Sequence, residues 1–94
     1  MNRTPIHPGE ILADELEEIN LTGAELARII NVPANRVMQI IAGKRAITAD
    51  TALRLGQYFG MSADFWMNLQ KMYELDLARQ EVGDSIAHLP QRAS

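Results

Sequence analysis

The sequence predicts an all-α domain of about five helices. Three observations carry that reading: apolar residues recur at three- and four-residue spacing with no alternating strand pattern, Pro, Thr or Ser opens four of the apolar runs, and Asn or Gly punctuates the ends. In the first helix, about 8–19, Pro8 suits the first helical position, and Ile11, Leu12, Leu16 and Ile19 share one face opposite Asp14, Glu15, Glu17 and Glu18. His7 is placed to cap it. In the second helix, about 23–30, Thr22 and Glu25 form a capping box ahead of Leu26, Ala27 and Ile30, and Asn31 ends it by tolerating a left-handed backbone.

The third helix, about 34–42, turns Val37, Ile40 and Ile41 inward and leaves Asn35, Met38, Gln39 and Ala42 on its outer face, with Gly43 closing it. Thr48 is expected to cap a fourth helix that buries Ala52, Leu55 and Phe59 and stops at Gly60. Ser62 caps a fifth, carrying Phe65, Trp66, Leu69, Met72, Tyr73 and Leu77 and fading near Gly83. The expected organisation is an N-terminal arm over 1–7, a folded domain over 8–82 and a loosely held tail over 83–94.

Composition narrows the function. The chain of 94 residues is one domain, with enough length for a modest core and none for a second catalytic domain. It contains no cysteine, which removes disulfides, thiolate zinc sites and cysteine nucleophiles. No run approaches the roughly 18 apolar residues of a membrane span, and Met1-Asn2-Arg3-Thr4-Pro5 lacks a signal peptide's apolar stretch, so a cytoplasmic protein is expected. His7 and His88 have no second ligand at helical spacing, and no phosphate loop, nucleophile elbow or zinc-protease motif is present. Neither an enzyme nor a cofactor or metal site is expected.

The net charge of −3 argues against a polyanion partner, but its distribution reverses that vote. Residues 1–27 carry −5 and residues 55–94 carry −2, whereas 28–54 carry +4 through Arg28, Arg36, Lys44, Arg45 and Arg54 against Asp50 alone. Within that basic stretch, two helices of about eight residues joined by a short turn have the geometry of a helix-turn-helix, whose second helix enters the DNA major groove. Leu26, Ala27, Ile30, Asn31, Val32, Val37 and Ile40 each have the character that geometry requires.

Four blocks carry a wider likeness: His7-Pro8-Gly9-Glu10-Ile11-Leu12, Gly43-Lys44-Arg45-Ala46-Ile47-Thr48, Thr51-Ala52-Leu53-Arg54-Leu55 and Phe65-Trp66-Met67-Asn68-Leu69-Gln70. With them the sequence resembles the lambda-repressor-like, or XRE, helix-turn-helix proteins, and among these the HigA-type antitoxins. The resemblance implies a five-helix lambda-repressor-like domain. It further implies a homodimer that binds double-stranded operator DNA, represses its own operon and neutralises a RelE-like, HigB-type ribonuclease toxin. It places base reading on Ala34, Asn35 and Gln39, of which Asn and Gln can pair with adenine and Ala34 offers only a methyl group. Arg36, Lys44 and Arg45 would reach phosphates, as would Thr22 and the backbone amide of Gly23, where many relatives carry glutamine nearby.

Two assignments stay open at this level. Arg54 serves either a phosphate or the helix surface. Trp66, Met67, Leu69, Met72 and Tyr73 anchor either the core or a dimer seam. The alternative functions are a stand-alone repressor of the same type and a protein-interaction module without DNA binding.

Overall fold

The computed structural model describes residues 3–93; Met1, Asn2 and Ser94, which belong to the expected arm and tail, lie outside the described residues. Five helices run in order: α1 (Pro8–Glu18), α2 (Gly23–Ile29), α3 (Ala34–Ile41), α4 (Ala49–Phe59) and α5 (Ala63–Ala87), with no strand among the described residues. The fold is the five-helix lambda-repressor-like arrangement expected from the sequence.

Local chemistry sets most boundaries. The Nδ1 of His7 accepts the Gly9 N–H at 2.8 Å while the Glu10 carboxylate accepts the His7 N–H, so α1 opens with a reciprocal capping box. Thr22 and Glu25 do the same for α2. Asn20 (φ 55°) and Asn31 (φ 59°) take the left-handed conformation that lets the chain leave α1 and α2, and Gly60 (φ 72°) does so after α4.

Two expectations about the helix ends need correcting. Thr48 stands at the start of α4 but makes no side-chain cap bond; its hydroxyl lies 3.4 Å from that of Thr51 instead. Helix α5 does not fade near Gly83 but continues to Ala87. A lone interior glycine costs a helix about 1 kcal/mol, too little to end a long one. The next strong breaker is Pro90, which disfavours helical backbone in Leu89.

The helices pack α2 on α3, α4 on α5, and α1 on both α3 and α5. Leu12, Leu26, Val37, Ile40, Ala52, Leu55 and Trp66 are inaccessible at their centre. The approach of α1 to α3 is so close that a Cβ on Gly9 would collide with the Ile40 carbonyl, so only glycine fits there. At the far side the buried Asp76 carboxylate on α5 is held by Arg79 at 3.1 Å and by Arg3 at 3.2 Å, which ties the described part of the N-terminal arm to the core. Beyond Leu77 the side chains of α5 are almost all exposed, so its last turns project from the body and stretch the molecule to 52 × 24 × 21 Å.

Candidate nucleic-acid interface

Leu26 and Ala27 on α2 meet Val37 and Ile40 on α3, all four buried, and Ile41 lies half-buried beside them. Burial of that face turns the opposite one outward: Ala34, Asn35 and Met38 are exposed and Gln39 is partly so. The turn between the helices is latched from α4, where one guanidinium nitrogen of Arg54 donates to the carbonyls of Ile30 (2.9 Å) and Asn31 (3.3 Å). Helix α3 is preceded by Pro33, which offers no side-chain cap; its carbonyl accepts the Arg36 N–H at 3.0 Å.

The cations around this face divide into two kinds. Lys44 and Arg45 are exposed on the loop after α3, and Arg45 donates to the Oε1 of Gln39 at 3.3 Å. Arg36 instead turns toward α4, where it meets the Asp50 carboxylate at 2.7 Å; Arg54 reaches the same carboxylate at 3.0 Å. Hydrogen bonds from Arg54 and then Arg36 hold the Asp50 carboxyl below the usual range, so it is ionised at neutral pH. Arg36, Arg45 and Arg54 line one cleft of about 350 Å³ with Thr48, and Asp50 stands among them.

Sequence reasoning did not find this cluster. The Asp50–Arg54 pair has helical i,i+4 spacing and could have been read from the sequence. The Arg36–Asp50 pair spans 14 residues and depends on where the tertiary fold places the two helices.

At the start of α2, Thr22 is exposed and its hydroxyl accepts the Glu25 N–H at 3.1 Å, which leaves the hydroxyl proton free to donate outward. Gly23 abuts α3: an added Cβ would lie 2.8 Å from Met38 Sδ and 3.0 Å from Ile41 Cδ1. The contacts are with the ends of two flexible side chains, and they place the α2 N-terminus alongside the exposed face of α3.

The α5 residues separate cleanly. Trp66 is wholly buried against Phe59 and Phe65, and its Nε1 has no hydrogen-bond partner among the described residues. Met67 and Leu69 pack on the core, and Tyr73 meets His7 edge-on with ring centres 4.9 Å apart. Met72 alone of the five is exposed.

Residues 12–66 match the helix-turn-helix family model HTH_3. The chain belongs to the helix-turn-helix family. Within it the likeness is to HigA-type antitoxins. An addiction-module antidote protein of the HigA family from Coxiella burnetii superposes with a TM-score of 0.93 at 43% identity, covering 97% of this chain and all of that one. Antitoxin HigA of Pseudomonas aeruginosa, in a structure with the higBA promoter, gives 0.90 at 48% identity with the same coverage. Among curated relatives, virulence-associated protein I of Dichelobacter nodosus is 47% identical over 77 residues, which is 81% of this chain and 71% of that protein. No helix among the described residues of this helix-turn-helix protein is long and apolar enough to cross a membrane.

Proposed function

We propose that this protein is a cytoplasmic, DNA-binding antitoxin that represses its own operon as a homodimer and neutralises a RelE-like ribonuclease toxin. The observation that carries the DNA reading is the outer face of α3. Asn35 and Gln39 stand on it with Lys44 and Arg45 alongside, while the buried side of the same helix fixes its orientation. Asn and Gln amides suit adenine in the major groove, and the loop cations suit phosphates. Thr22 and the Gly23 amide are in place for a further phosphate contact, and Ala34 adds at most a methyl contact. The likeness to a HigA whose structure contains promoter DNA favours the same use of α3 here. Relatives of this kind also favour a regulator without catalytic activity.

A dimer would present two copies of α3 to successive major-groove faces about 34 Å apart. Helix α5 supports that assembly. Its exposed apolar residues Phe65, Met72, Leu75, Val82 and Ile86 succeed one another at intervals of seven, three, seven and four, the spacing of a helix that packs along another helix. The projecting turns after Leu77 bury little within the monomer, and a short helix without tertiary packing is marginal in water. A second copy of α5 fits that stripe.

The experiment is an electrophoretic shift with the DNA upstream of its own gene against a scrambled duplex of equal length. Preferential retardation of the promoter fragment is expected, and equal affinity for both would remove the sequence-reading role. If a short basic reading frame adjoins the gene, co-expression with it tests the toxin partner. Failure of the two products to co-purify would leave a stand-alone repressor.

A further inference from the structure

Asp50 is the sole acidic residue between positions 28 and 54, and it occupies the cleft walled by Arg36, Arg45 and Arg54. Helix stability explains its presence only in part. An acidic residue in the first turn of α4 favours the helix dipole, but the side chain makes no cap bond and turns instead to two guanidiniums, one on its own helix and one on α3. Arg54 has a second anchor in the Ile30 and Asn31 carbonyls and stays in place without Asp50. The Arg36 guanidinium has no other partner among the described hydrogen bonds and ion pairs. Its direction is therefore set by Asp50.

We propose that Asp50 is a built-in rival of the DNA backbone, holding the Arg36 guanidinium so that a backbone phosphate entering the cleft must displace a carboxylate to obtain it. The inference rests on the DNA-binding reading of α3. The cleft adjoins the face that carries Gln39, because Arg45 both lines the cleft and bonds Gln39, so the phosphate concerned belongs to the duplex whose bases α3 contacts. The carboxylate is over half exposed, and ion pairs in such solvent contact are weak, so the pair yields to DNA without locking the protein shut. Its effect is to lower the attraction for any duplex. Phosphate contacts carry no sequence information, and an unopposed Arg36 would strengthen promoter and bulk DNA alike.

The test uses Asp50→Asn, Asp50→Glu, Arg36→Gln and the double variant Asp50→Asn with Arg36→Gln, titrated by fluorescence anisotropy against the promoter duplex and a scrambled duplex over a range of salt. Asp50→Ser replaces Asp50→Asn if circular dichroism shows the latter unfolded. Removing one like charge from beside a phosphate predicts binding about threefold tighter on both duplexes, with a salt dependence steeper by up to about one unit. Asp50→Glu should behave as wild type, and the gain should vanish in the double variant. Were Asp50 purely structural, Asp50→Asn would lower stability and tighten nothing. If wild type prefers its promoter while folded Asp50→Asn binds equally or more weakly, the rivalry is overturned and the DNA reading stands. If wild type binds neither duplex, both fall together.

Discussion

Gln70 on α5 and Ile47 in the loop before α4 are joined by a 2.9 Å hydrogen bond from the Ile47 N–H to the Gln70 Oε1, with both residues buried. The amide's other end donates to the Glu74 carboxylate at 2.8 Å, which settles its orientation. One buried side chain thus secures the loop that carries Lys44 and Arg45. Gln70→Ala leaves the Ile47 N–H buried without an acceptor and should cost about 1–3 kcal/mol. Urea unfolding should show a lower midpoint at unchanged slope; an unmoved midpoint would show that the bond contributes nothing.

His7 links stability to pH. Burial holds its imidazole below the ordinary value of 6.5, against weaker opposing pulls from the Arg45 backbone and the Glu10 carboxylate. Its Nδ1 must be unprotonated to accept the Gly9 N–H. Because the folded pKa is the lower one, the unfolded chain binds the proton more readily. The stabilisation is therefore present above about pH 6.5 and lost as pH falls toward the folded value. Between about pH 8 and about pH 5 the wild type should lose more thermal stability than His7→Asn, whose amide caps without titrating. Equal losses in the two proteins would remove His7 from the pH response.

Gln39 and Lys44 should separate base reading from backbone attraction. Gln39→Ala is expected to lose about 1–3 kcal/mol on the promoter duplex and little on a scrambled one. Lys44→Ala should weaken both alike and flatten the salt slope by about one unit. Binding titrations on the two duplexes decide it, and equal losses for Gln39→Ala would end its role as a base reader.

The stripe on α5 predicts an assembly. Wild type should elute with twice the mass of its 10.5 kDa chain in light scattering, and Leu75→Glu with Val82→Glu should give a folded monomer, because like charges at a helix seam oppose packing. The changes lie outside the core, so the thermal transition of the dilute monomer is the control. A wild-type monomer would overturn the dimer, and a dimer unaffected by both charges would place the seam elsewhere.

Most of this architecture is legible because it is written in local spacing. The Thr22–Glu25 box, the left-handed Asn31 and the inward trio Val37, Ile40 and Ile41 each depend on residues within one or two turns of one another, and those relations survive in any compact arrangement of the helices. The length of α5 is less legible, because Gly83 is a weak stop whose effect depends on the helix formers beyond it. Gln70 and Asp76 are hidden for a different reason: polar side chains on a helix look solvated until a partner from a distant segment, Ile47 or Arg3, shows them to be buried.

By itself the amino-acid order determined the number of helices, the turn between α2 and α3, and the side chains that α3 offers to solvent. Periodic burial and capping act over short stretches, which is why those features could be read directly. Only the tertiary structure decided what the cations do, because charges interact through space. The fold brings Arg36 of α3 to Asp50 of α4, lets Arg54 of α4 reach the carbonyls at the end of α2 as a strut for the helix-turn-helix, and leaves Lys44 and Arg45 exposed.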